Sequence, residues 1–163
     1  MPLLKNGEVV ADPWQHVGAT DELPREGPVV VPLERWKAEG QTLRARNAPL
    51  GVRLANTQAV AELAADLERL DLIELEFPKF VDGRAYTQAR LLRERYGYRH
   101  ELRATGNVLR DQLQFMQRCG FDAFEIADPA AAAAWRAAIS EIDVVYQAAA
   151  DDRVPAMQLR RSA

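Results

Sequence analysis

The chain has 163 residues, with 21 basic and 24 acidic side chains, two histidines and one cysteine. That length holds one ordinary hydrophobic core rather than two, and a net charge of −3 lacks the basic excess of a protein that tracks a nucleic-acid backbone. With Cys119 alone, no intrachain disulfide, dithiol pair, or cysteine-held zinc or iron–sulfur site can form within one chain, and no apolar run approaches the roughly 18 residues of a membrane span.

The opening stretch MPLLKNGEVV has no signal-peptide core. We therefore expect a cytoplasmic protein with no membrane or nucleic-acid partner. His16 and His100 are too few to build a metal site, and none of the dinucleotide, phosphate-loop, nucleophile-elbow or HExxH signatures occurs, so no metal and no bound cofactor are expected. The chain is expected to form a single domain over 1–163: an N-terminal hairpin and loop (1–28), an α/β core (29–149) and a tail (150–163).

Along the chain, Asn6-Gly7 between LL and VV predicts a two-residue hairpin. The segment DPWQHVGATDELPREGP, rich in turn formers, predicts a loop. Val29–Val31 reads as a strand leading through Pro32 into the helix LERWKAEG, ended by Gly40. Gly51–Ala55 predicts a strand, followed by a helix capped by Thr57 with Val60, Leu63, Ala64, Leu67 and Leu70 on one face. Leu72–Phe77 alternates as a strand; the next helix carries Ala85, Ala89, Leu92 and Tyr96 inward and stops at Gly97. His100–Thr105 reads as a strand, then a helix opens at Asn107, turns Leu109, Leu113 and Met116 inward, and ends at Gly120. Ala123–Ala127 is the next strand. Asp128 and Pro129 open a long helix with Trp135, Ile139, Ile142 and Tyr146 as its apolar stripe. The polar stretch after Ala150 is expected to fray.

Strand starts near 51, 72, 100 and 123 imply repeated strand–helix units, hence right-handed crossovers and a parallel sheet, either half-barrel-like or open. The fold class expected is thus α/β with an added N-terminal β-hairpin and loop. Open sheet edges need cover, by the hairpin or by a second copy in a homo-oligomer. Ligands of such sheets bind at the carboxyl ends of the strands. The turns there are Asn56-Thr57, Pro78 to Arg84, Thr105-Gly106-Asn107 and Asp128-Pro129.

Two of these turns carry the candidate site. Asp82 is placed to cap the helix that follows it, with Gly83 allowing close approach and Arg84 in the first turn. The junction reads either as a capped turn or as an anion seat made of helix amides and Arg84. Arg103, with Thr105, Gly106 and Asn107 beyond it, reads either as a buried cation paired with Glu74 or Glu76, or as a second cation for the same anion. Glu74, Glu76, Glu101 and Glu125 fall inside strands, as a solvated face or as partners for Arg53 and Arg103, and less readily as an acid–base pair. Nothing marks a catalytic residue. Cys119, at a helix C-terminus, is not placed to be a thiolate. The arginine-laden helix with Arg84, Arg90, Arg93 and Arg95 reads as a solvated face or a dock for an acidic partner.

The motifs FPKFVDGRAYTQARLLRERYGY and HELRATGNVLRDQLQFMQRCGFDAFEI resemble the bacterial domain of unknown function family 934. The resemblance implies a small bacterial protein encoded beside sulfite or nitrite reductase and phosphoadenylyl-sulfate reductase genes, and commonly labelled a probable oxidoreductase of sulfite reduction. The residue inventory, which holds no redox machinery, fits an accessory or anion-binding role in assimilatory sulfate and sulfite reduction, with sulfite reductase or phosphoadenylyl-sulfate reductase as a partner and an anionic small molecule as a ligand. The alternatives are a small enzyme acting on an oxyanion-bearing metabolite and an oxidoreductase with a borrowed cofactor.

Overall fold

The computed structural model describes residues 2–126, 133, 136–138, 144–151 and 153–162. It is an α/β structure whose eight strands form one curled, half-barrel sheet in the order β2-β1-β8-β7-β6-β5-β4-β3. The strands are β1 (Leu3–Lys5), β2 (Glu8–Val10), β3 (Gln15–His16), β4 (Val29–Pro32), β5 (Leu50–Leu54), β6 (Leu72–Phe77), β7 (Glu101–Gly106) and β8 (Ala123–Glu125). From β3 to β8 all neighbours are parallel; β1 adds antiparallel to β8 and β2 antiparallel to β1. Asn6 at φ 53 and Gly7 at φ 79 take the left-handed backbone that the two-residue turn between β1 and β2 requires.

Strand alternation divides the sheet into two faces. Leu50, Val52 and Leu54 of β5, Ile73, Leu75 and Phe77 of β6, and Leu102 and Ala104 of β7 join one buried cluster with the helices. Those helices are α1 (Leu33–Arg44), α2 (Arg84–Arg90, continued by a π turn over Leu91–Arg95) and α3 (Leu113–Arg118). Trp36, Leu43, Ala85, Ala89, Leu92, Leu113 and Met116 supply their share of the cluster. The opposite, concave face carries Arg53, Glu74, Glu101 and Arg103, in register across β5, β6 and β7 or one step along.

The curl follows from chain length. Strands β2 and β3 stand at opposite edges, and seven strand spacings of ~4.8 Å would separate them by ~34 Å in a flat sheet. From Val10 to Gln15 the chain can reach only ~18 Å. The edges must therefore bend toward each other, and residues 11–14 cross the concave side.

Several elements differ from the sequence expectation. Helix α1 runs through Gly40 to Arg44, because Gly40 is a buried spacer: a Cβ there would stand 3.0 Å from Nη1 of Arg44. Arg44 itself is held by Asp66 at 2.6 Å and lies over Trp36. The expected helix after Thr57 is two 3-10 turns, Val60–Leu63 and Leu67–Arg69, with Val60, Leu63, Leu67 and Leu70 buried as foreseen but Ala64 exposed. Asp66 interrupts it at φ −118, ψ 2, its carboxylate drawn to Nε1 of Trp36 and to Arg44. Within the expected N-terminal loop, Gln15–His16 adds a short strand to β4. The helix expected from Asn107 begins later, as a 3-10 turn over Arg110–Gln112 leading into α3, because the Asn107 N–H bonds to Phe77 O across the sheet; Leu109 is consequently exposed. Tyr146 is exposed rather than part of an apolar stripe; the Asp128-Pro129 helix start, with Trp135, Ile139 and Ile142, lies outside the described residues. The tail forms a helix, α4 (Ala156–Ser162), started by a bridge between Val145 and Pro155.

Candidate functional site

The turns after β6 and β7 meet. Phe77 and Gly106 are register partners, the Asn107 N–H donates to Phe77 O at 2.7 Å, and Nε2 of Gln112 donates to Phe80 O at 3.0 Å. Gly106 takes φ +85, and a Cβ on it would lie 2.6 Å from Phe77 O, so close approach and backbone conformation both require glycine here. In the first turn Gly83, not Asp82, is the N-cap residue of α2. The Asp82 carboxylate instead chelates the Arg84 side chain, accepting from Nε at 2.9 Å and Nη2 at 2.6 Å, and meets the Arg84 backbone N–H only at 3.4 Å. That guanidinium holds the Asp82 carboxyl well below the usual carboxylate range, with the Asn56 amide contributing.

Arg103 lies away from this junction, fully buried on the concave face. Its guanidinium donates to Asp12 at 2.8 Å, to Glu74 at 3.3 Å and to Glu101 at 2.8 and 3.1 Å. Glu74 also takes Nε of Arg53 at 2.8 Å and Nε2 of His16 at 2.9 Å, while Glu101 takes Nζ of Lys5 at 2.6 Å. Burial opposes the charge on Glu74, yet His16 and Arg53 outweigh it and hold the carboxyl below its usual range. The arrangement is a continuous ion-pair network in which each buried charge is partnered, the condition under which such charges are tolerated. Of the two readings of Arg103, the buried pair with Glu74 is the one observed. Thr105 is buried on the same strand, whereas Gly106 and Asn107 are exposed at its end.

A cavity of about 400 Å³ opens at the end of β5, between the 55–61 segment and the face of α2 with its π turn. Asn56, Ala59 and Val60 line one side, and Arg84, Gln88, Leu91, Arg95 and Tyr96 the other. Gln88 is buried and donates both amide hydrogens, to Ala55 O at 2.9 Å and Gln58 O at 2.8 Å. That fixes its orientation and leaves Oε1 buried with no hydrogen-bond partner; Nδ2 of the buried Asn56 makes no hydrogen bond of ordinary geometry either, although Asp82 stands near. Each buried polar atom left so costs about 1–3 kcal/mol. The π turn, closed by the Tyr96 N–H to Leu91 O at 3.0 Å, brings Leu91, Arg95 and Tyr96 to the cavity wall.

At the joined turns Phe80 and Val81 of the first, Leu109 of the second and Phe115 of α3 are exposed, with Phe80 and Phe115 each 55% accessible. Tyr86 packs edge-on between Phe77 and Phe115, with centroids 5.1 and 4.9 Å away, and ties α3 to the first turn. Cys119 is buried next to this layer, and burial pushes its thiol up to about 11, so it is a packed thiol rather than a nucleophile. Among the described residues no cluster of side chains is arranged to hold a metal ion, and no helix is long and apolar enough to cross a membrane.

Sequence reasoning overlooked the cavity, though Asn56 was one of the strand-end residues. The available signal was Gln88: it falls among Ala85, Ala89 and Leu92 on the buried stripe of its helix, where a polar side chain must find partners.

The chain is thus an α/β half-barrel protein whose distinctive groups gather at the carboxyl ends of β5, β6 and β7. It belongs to the family described as Bacterial protein of unknown function (DUF934), whose model matches residues 51–157. No curated protein matches the chain.

Proposed function

We propose that the protein is a non-catalytic accessory factor of assimilatory sulfate and sulfite reduction that docks a reductase through the joined strand-end turns. The pathway rests on the genomic setting implied by the FPKFVDGRAY and LRATGNVLRDQL motifs. The observation that supports docking is the exposed group of Phe80, Val81 and Leu109, held on two turns that are pinned to each other by backbone and side-chain hydrogen bonds, together with Phe115 on the helix α3 beside them. Aromatic side chains presented on a fixed backbone lose little entropy on binding and are the usual anchors of an interface.

The anion-seat form of the same site, with Asp82, Gly83, Arg84, Arg103, Thr105, Gly106 and Asn107, requires more rearrangement. Arg84 would have to leave Asp82, and Arg103 would have to leave three carboxylates. Docking needs neither change. The test is binding of the purified protein to sulfite reductase and to phosphoadenylyl-sulfate reductase by calorimetry. Binding of one of them is expected, weakened at least about tenfold by Phe80→Asp or Phe115→Asp, a loss of ~1.4 kcal/mol or more typical of an anchor. If neither reductase binds, and loss of the protein leaves cellular sulfite reduction unchanged, the proposal fails.

A further inference from the structure

The concave face carries two carboxylates that the ion-pair network leaves out. In that network Lys5, Arg53 and Arg103 meet Asp12, Glu74 and Glu101, so each cation is committed. Two residues further toward the carboxyl ends stand Glu76 of β6 and its register partner Thr105 of β7. Glu125 of β8 comes next in the same row, because Arg103 pairs with Ala123 and Ala104 with Phe124. Phe124 packs in the cluster on the helix side, and alternation turns its neighbour Glu125 to the concave side. Glu125 is only 8% exposed and Thr105 2%, while Glu76 is half-buried. None of these three side chains makes a hydrogen bond or ion pair with the described residues, and their oxygens keep contact with solvent rather than being sealed in. A carboxylate as deep as Glu125 is costly without a counter-charge.

We infer that the row Glu76, Thr105, Glu125 is a binding site for a small organic dication, a short aliphatic diamine. Two uncompensated negative charges ask for two positive ones, and an oxyanion is repelled. An ammonium group offers three donors and no acceptor, the complement of carboxylate and hydroxyl oxygens. The backbones that carry Glu76 and Glu125 are two strand spacings apart, about 9.6 Å, and the curl of the sheet draws their side chains closer. A few methylenes between two ammonium groups span that gap. One ammonium then meets Glu125 beside Leu3, the register partner that supplies apolar surface, and the other meets Glu76, with the Thr105 hydroxyl accepting between them. The row lies toward the carboxyl ends of parallel strands, where sheets of this kind accommodate ligands.

Three probes of equal chain length separate the parts. Putrescine carries two ammonium groups, butylamine one and butanediol none. By thermal shift and by calorimetry on the full chain, putrescine is expected to bind, butylamine at least several-fold more weakly and butanediol not at all, because a ligand bound only by the folded state raises its melting temperature. Glu76→Gln and Glu125→Gln should each weaken putrescine at least about tenfold, the loss of one charge-assisted contact. Glu125→Gln should also melt above the wild type when no ligand is present, since it removes an uncompensated charge and strands no partner. A carboxylate with a structural partner would shift the melt the other way. The inference is overturned if putrescine does not shift the wild type, if butylamine or Mg²⁺ binds as tightly as putrescine, if Glu125→Gln binds putrescine as the wild type does, or if Glu125→Gln melts below the wild type. Phe80, Val81, Leu109 and Phe115 lie outside this row, so the site can fail while docking stands, and docking can fail while the site stands.

Discussion

Arg103 and Glu74 sit where water does not reach, and each is held by more than one opposite charge. Removing one member strands the others. Arg103→Met is expected to destabilise the protein by about 3–5 kcal/mol, read from urea unfolding, because Glu74 and Glu101 then keep charges that their surroundings no longer compensate. The same network sets the acid limit. The Glu74 carboxyl is depressed below its ordinary value of 4.5 in the folded protein, so the unfolded chain takes up a proton first as pH falls. The stability contributed by its ionised form is complete above that value and is lost as pH drops through the depressed folded one. Unfolding followed from pH 6 to pH 2, a range of about four units, should show this acid limb, and Glu74→Gln should flatten it.

At the scale of elements, the joined turns depend on Gly106. Gly106→Ala forces a Cβ to within 2.6 Å of the Phe77 carbonyl, backbone that cannot swing aside, as well as a left-handed residue. A loss well beyond the ~1–2 kcal/mol of the conformation alone is expected. Gly97→Ala is the control: it shares the positive φ but meets nothing within 4 Å, so it should cost only about that conformational amount, measured by the same melt.

The element pattern shows what was legible in the sequence. Strands β5 to β8 and the inward Ala85, Ala89 and Leu92 were plain, because alternation and helical spacing are local signals. The reach of α1 past Gly40, the 3-10 turns after Thr57 and the late start of α3 were not, since each is decided by a distant partner: Arg44 with Asp66 in the first two, Phe77 O in the third. The site divides in the same way. The adjacency of the two turns was inferable from a parallel sheet, but Arg103's commitment to Asp12 and Arg84's to Asp82 depends on side-chain directions that spacing does not give.

For the whole molecule, the N-terminal hairpin and strand complete a sheet of which residues 51–157 are the part matched by the family model. Strand β1 covers the β8 edge, β3 covers β4, and between them Asp12 and His16 reach Arg103 and Glu74. Deleting residues 1–17 should expose the β4 and β8 edges and strip Lys5, Asp12 and His16 from the ion-pair network. Light scattering is expected to show association of the truncated protein at concentrations at which the full chain does not associate.

That belt also sets an order of events. Strand β1 is made well before the partner it needs, because that partner is β8 and the segment behind β1 has nothing to cross until the parallel strands have curled. Closing a loop from Leu4 to Phe124 is slow beside the nearest-neighbour pairings of β5, β6 and β7, so the N-terminus should dock in a separate, final step. Pulse-labelled hydrogen exchange during refolding would then protect the Leu75 amide before that of Leu4, and a nascent chain would stay an open, unbelted sheet until its β8 segment had been released.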